Sequence, residues 1–185
     1  HYADLDPYHM ACAVIDEAIR NVVTVGGDPD RTAILDNFSW GNTQKPDRLG
    51  ALVRASEGCY DAAMALRTPF ISGKDSLNNE YQTAAGTIVI PHTLLVSALS
   101  IVDDVRRCAT MDMKGEGNAL YLVGTTRDEL GASHHAVVHG RKGSHESVPK
   151  LDMDGALNTH RAMHAAIKGG PVSYTHLRAH ETRTY

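Results

Sequence analysis

"TPFISGKDSLNNEY", residues 68–81, sets a short apolar run before a glycine, a lysine and a string of polar side chains. Whether this is a Walker-type phosphate loop decides the fold. A Walker loop needs Gly-x-x-x-x-Gly-Lys-Ser/Thr. Here Thr68 stands where the first glycine belongs, and Asp75 follows Lys74 where a magnesium-holding hydroxyl belongs. The stretch reads instead as a short buried strand, 68–72, running into a long polar loop, 73–86. Gly73 permits close backbone approach to a ligand, Lys74 supplies a point positive charge, and Asp75 could hold a divalent cation. The same residues also read as a polar surface loop that caps a strand.

Upstream, "TAILDNFSWGN", residues 32–42, reads as a second strand entering a polar loop, with Asp36, Asn37 and Asn42 near its end. In α/β sheets ligands favour the carboxyl ends of strands. Two such loops could meet over one ligand, although the turn chemistry of Asn and Gly accounts for them equally well.

Helices flank these strands. Asp6-Pro7 reads as an N-cap followed by proline at the first helical position, and Gly26-Gly27 as the stop. Between them Tyr8, Ala11, Ile15, Ala18, Ile19 and Val22 recur at helical spacing. Leu52, Ala55, Cys59, Ala62 and Leu66 mark a second amphipathic helix over 49–66. In the first helix Glu17 and Asn21 are i,i+4 and lie one above the other, away from the apolar stripe but beside Met10 and Val14. Two oxygen ligands one turn apart suit magnesium; a solvated helix face is the plainer reading.

Beyond the polar loop, residues 87–102 are apolar and β-rich, with Pro91 dividing two strands or marking an edge. "MDMKGEG", 111–117, marks a boundary. A new strand is expected at "NALYLVG", 118–124, and a helix over 152–168 that ends at Gly169-Gly170. The reading is α/β (α+β): one nearly whole domain, 1–112, and the beginning of a second, 113–171.

The composition narrows the function. With 42% hydrophobic and 5% aromatic residues, the core should be aliphatic. A net charge of −4 argues against nucleic acid and anionic membrane as partners. No apolar run is long enough to span a bilayer. Cys12, Cys59 and Cys108 suggest reduced thiols in a cytoplasmic protein. His135/His139 and His160/His164 are i,i+4 pairs, but neither carries the glutamate of a zinc motif and no cysteine is near. The last residues, 172–185, differ in kind. "VSYTHLRAHET" corresponds codon by codon to a transposon adapter used in sequencing libraries, so this tail is expected to be foreign and disordered, with the natural chain continuing past Gly170. The start, His1, is expected to be cut as well.

Three stretches in order, "DLDPYHMACAVIDEAIRNVVTVGG", "AILDNFSWGNTQKPDRLGALVRASEGCYDAA" and "TPFISGKDSLNNEY", resemble the second half of the phosphoribosylformylglycinamidine synthase (PurL) family. "TLLVSALSIVDDVRRCATMDMKGEGNALYLVGTTRDELGAS" continues the resemblance, which covers Tyr2 to Gly170. It implies an N-terminal βα domain like that of aminoimidazole ribonucleotide synthetase (PurM), whose sheet joins a partner's in a barrel, and the start of the companion α/β domain. It implies ATP-dependent conversion of formylglycinamide ribonucleotide to the amidine, with ammonia delivered by a glutaminase partner and the missing first half of the chain supplying the catalytic histidine. No catalytic residue is therefore expected here.

By resemblance Asp36 and Gly73 match nucleotide-contact positions and Ser76 a substrate-contact position. Lys74 stands where many family members carry a metal-binding Asn, so it is expected on the nucleotide's phosphates. Glu17 and Asn21 match magnesium ligands of an auxiliary nucleotide (ATP or ADP) in the large single-chain form, and Asp75 is counted with them. Ala132 departs from the usual "ELGGS". Two alternatives accompany this reading: a half whose bound nucleotide is structural only, or another enzyme of the superfamily, aminoimidazole ribonucleotide or selenophosphate synthetase.

Overall fold

A computed structural model describes residues 1–177 of the chain. Helix α1 (Pro7–Thr24) starts where the Asp6 carboxylate accepts a hydrogen bond from the His9 N–H, at 3.1 Å. It buries more than one stripe: Met10, Cys12, Ala13 and Val23 are covered along with Ala11, Ile15, Ala18 and Ile19. The reason is that α1 packs against several neighbours. Strand β1 (Thr32–Ser39) follows, then helix α2 (Pro46–Leu66), which buries Ala55, Cys59, Ala62 and Leu66 as their spacing predicts. Gly58 lets α1 and α2 touch: a Cβ there would collide with the Tyr8 carbonyl oxygen and press on Ala11.

Strand β2 (Phe70–Ser76) runs parallel to β1, and α2 is the crossover that parallel neighbours require. A hairpin of β3 (Glu80–Thr83) and β4 (Gly86–Val89) intervenes, and β5 (Thr93–Ser100) returns antiparallel on the other side of β1. The strand order is β2-β1-β5. Side chains alternate across the sheet. Ile34 and Phe38, with Leu94, Val96 and Ala98, face the helices and join the core. Leu35 and Asn37, with Leu95, Ser97 and Leu99 of β5, face away, where Leu95 and Leu99 are exposed.

Two sequence expectations are corrected here. Residues 73–86 are not one loop: "GKDS" lies within β2, and 80–89 form the hairpin. β1 extends the ladder as far as Ser39↔Ser76, so its backbone recruits polar residues that carry no strand signal of their own. Nor is the apolar start of β2 buried, because β2 is a sheet edge and Phe70 and Ile71 are exposed. The expected strand at 118–124 is also absent. Leu120 to Val123 are all exposed and no described strand pairs with them. An apolar run becomes a strand only where a ladder partner exists.

After a short helix, α3 (His134–Val138), helix α4 (Ala156–Gly169) closes the described chain. It begins four residues later than its pattern suggests, because the Asp152 carboxylate accepts from the Gly155 N–H at 3.0 Å in a preceding turn. Ala156 and Leu157 enter the same core as α1. His160, 4% exposed, meets Asp16, 7% exposed, at 2.9 Å, and the other Asp16 oxygen accepts from Arg20 Nε at 2.8 Å. Arg161 pairs with Asp30, and Lys168 with Asp103 at 2.7 Å. Of the tail expected to be foreign, 178–185 lies outside the described residues. Within 172–177, Tyr174 bridges to Thr110, and the Thr175 hydroxyl donates to the Thr24 carbonyl.

Candidate functional site

The site grows from one register. Asp36 of β1 stands opposite Gly73 of β2, Asn37 opposite Lys74, Phe38 opposite Asp75 and Ser39 opposite Ser76. Since Phe38 faces the helices, Asp36, Gly73 and Asp75 share that face, and Asn37, Lys74 and Ser76 share the other. Sequence reading sees the polar run as one loop and therefore as one cleft. The pleat divides it instead.

On the helix side, the Asp36 carboxylate fills the space beside Gly73, and a Cβ at that position would overlap Asp36 Oδ1. The glycine accordingly makes room for the Asp36 carboxylate. Burial first, and then the charge of Asp75, hold the Asp36 carboxyl above its ordinary value. Beneath α2, burial pushes the Cys59 thiol up to about 12, with the charge of Asp36 adding to it. Two neighbouring carboxylates, one with its proton affinity raised by the other, are a donor pair that suits a divalent cation.

On the opposite side, Lys74 Nζ donates to Ser76 Oγ along its own strand. Glu17 is half-buried and Asn21 exposed on α1. That helix packs on α2 and β5, and β1 lies between β5 and the strand that carries Asp75. Among the described residues no three His, Cys, Asp or Glu side chains come together as a metal cluster. The structure thus joins Asp36 to Gly73 and Asp75, joins Lys74 to Ser76, and keeps Glu17 and Asn21 on a separate element.

A clamp that the sequence gives no sign of fixes the ends of these strands. Trp40, fully buried, donates from Nε1 to the Arg48 carbonyl at 2.9 Å and stacks on His92 with ring centres 4.2 Å apart. Glu80 accepts from the Asn42 N–H at 2.8 Å and pairs with Arg48. The hairpin is thereby tied to the turn after β1. Asn42 and Glu80 lie 38 residues apart, and Trp40 and His92 are farther apart still, beyond any local pattern. A separate groove of about 570 Å³ lies between α1 and α2 at Tyr8, Arg54, Tyr60 and Asp61, and shares no residue with this site.

Residues 1–92 match the family described as AIR synthase related protein, N-terminal domain. Phosphoribosylformylglycinamidine synthase subunit PurL of Rhodopseudomonas palustris (strain BisB18) is 32% identical over 176 residues, which are 95% of this chain and 23% of that protein. The subunit of the same name from Deinococcus radiodurans is 33% identical over 181 residues, 95% of this chain and 24% of that protein. The chain therefore spans about a quarter of the length of the curated relatives it matches. A solved structure, "T. maritima PurL complexed with FGAR", superposes with a TM-score of 0.53 over 90% of this chain and 25% of that one; at 16% identity it shows the fold alone. No described helix is long and apolar enough to cross a membrane. Residues 1–92 are an AIR synthase related N-terminal domain of PurM-like α/β fold, and the curated relatives of the chain are PurL subunits.

Proposed function

We propose that this chain is a nucleotide- and substrate-holding part of an ATP-dependent amidoligase. The reaction takes formylglycinamide ribonucleotide, glutamine-derived ammonia and ATP to formylglycinamidine ribonucleotide, ADP and phosphate. The observation that carries the reading is the Asp36–Gly73–Asp75 cluster on a parallel strand pair, inside the segment that matches the family's domain. ATP supplies a phosphoryl group to the amide oxygen, which makes a leaving group for ammonia to displace. Asp36, Gly73 and Lys74 hold the nucleotide and Ser76 the substrate. Asp75 holds Mg²⁺ beside Asp36, while Glu17 and Asn21, which stand on a separate element, are given to Mg²⁺ by the resemblance alone. No residue of this chain is given a catalytic role, so the isolated chain is inactive. The rest of the longer polypeptide and a glutaminase subunit or domain complete the cytoplasmic enzyme. The segment 113–171 is assigned to the start of a companion domain.

Calorimetric titration of the chain with ADP and Mg²⁺ tests this. Saturable binding is expected, weakened at least tenfold in Asp36→Ala and on removal of Mg²⁺ by EDTA. A chain that binds no ADP, or an Asp36→Ala variant that binds it equally well while folded by circular dichroism, overturns the reading.

A further inference from the structure

Asn37 faces away from the helices, directly across from Lys74. Its side-chain oxygen, Oδ1, has no accessible surface and no hydrogen-bond partner among the described residues. A buried acceptor in that state is destabilising, so its persistence needs a reason. The nearest candidate donor in the register is the Lys74 ammonium, which has three N–H groups. One of them reaches Ser76 Oγ, and Lys74 forms no ion pair among the described residues. The two carboxylates of the site, Asp36 and Asp75, stand on the other face of the sheet and cannot neutralise it from there. An ammonium on an open sheet face, flanked by a hydroxyl and an unused amide oxygen, is arranged to receive an anion.

We propose that Asn37 is a positioning residue: its Oδ1 takes one N–H of Lys74, and the ammonium so held receives, together with the Ser76 hydroxyl, a phosphate group on the open face of the sheet. The inference rests on the phosphate-ligand reading above and adds to it a residue and a side. The phosphate belongs either to the nucleotide or to a ribose phosphate ester, and a cation held by Asp36 and Asp75 would sit across the sheet from it. Lys74 therefore provides the charge that a metal cannot provide there.

The test uses Asn37→Val, Asn37→Thr, Lys74→Met and the Asn37→Val/Lys74→Met double variant of the whole chain, titrated separately with ADP and with ribose 5-phosphate. Asn37→Val removes an unpaired acceptor, so its Tm is expected to stay level or rise. Its affinity for one of the two ligands is expected to fall about tenfold, and the ligand affected identifies the source of the phosphate. Asn37→Thr, which keeps an oxygen acceptor, should recover most of the loss. The double variant should bind no more weakly than Lys74→Met alone, because Asn37 acts through the lysine. Unchanged affinity for both ligands in Asn37→Val or additive losses in the double variant overturn the inference, even where ADP still binds and Asp36→Ala still weakens it. If Asn37→Val fails to fold, the cycle is run with Asn37→Thr, and additivity there is equally fatal. Failure of wild type to bind either ligand overturns the phosphate reading itself.

Discussion

Asp36 shows how one side chain sets the demands on its neighbours. It needs position 73 to lack a Cβ, and its raised carboxyl makes stability depend on pH. A carboxyl held above its ordinary 3.8 in the folded state binds a proton there more readily than in the unfolded chain. Across the window from 3.8 up to the raised value the native state carries the extra proton. Stability therefore falls as pH rises through that window, and the deficit is complete above it. Asp36→Asn should flatten this part of a Tm-against-pH curve and raise Tm at neutral pH; an unchanged slope would remove Asp36 as its source. Asp36 and Gly73 are each singled out in the sequence as candidate positions, but their mutual dependence is not legible there. It follows from a strand register, and nothing at position 36 announces that position 73 will lie beside it.

At the scale of elements, what is local was readable. The N-cap of α1, the apolar spacing of α1 and α2, and the apolar run of β1 are each set within a few residues. The extent of β2 was not readable, because its polar half is a strand only by pairing with β1. The segment 118–124 fails in the opposite sense: its apolar run is real, but among the described residues no ladder is there to receive it. The docking of α4 is equally invisible, since Asp16 and His160 are 144 positions apart. Their pair makes a prediction. His160→Leu leaves the Asp16 carboxylate with one fewer buried partner and should destabilise the fold by about 1–3 kcal/mol. It should also loosen α4, so limited proteolysis should cut near residues 150–156 earlier than in wild type. A variant with unchanged Tm and an unchanged cleavage pattern would show that apolar packing alone holds the helix.

For the molecule as a whole, the three-stranded sheet is covered on one side only. Leu95 and Leu99 are exposed on its bare face, and β2 and β5 each leave an edge without a described neighbour. Open edges and apolar faces invite association. Sedimentation at rising concentration should therefore give an apparent mass above 20.0 kDa, and Leu95→Lys with Leu99→Lys should restore the monomer. A wild-type chain that stays monomeric across that range contradicts this expectation. The pairing of α4 with α1 has a further consequence, in time rather than in space. A ribosome adds about 5–20 residues each second. Asp16 is thus added to the chain roughly 7–30 s before His160 exists to meet it, given the 144 positions between them. Throughout that interval the first helix must leave one flank hydrated or borrow a temporary cover, and that flank closes only once α4 has been made.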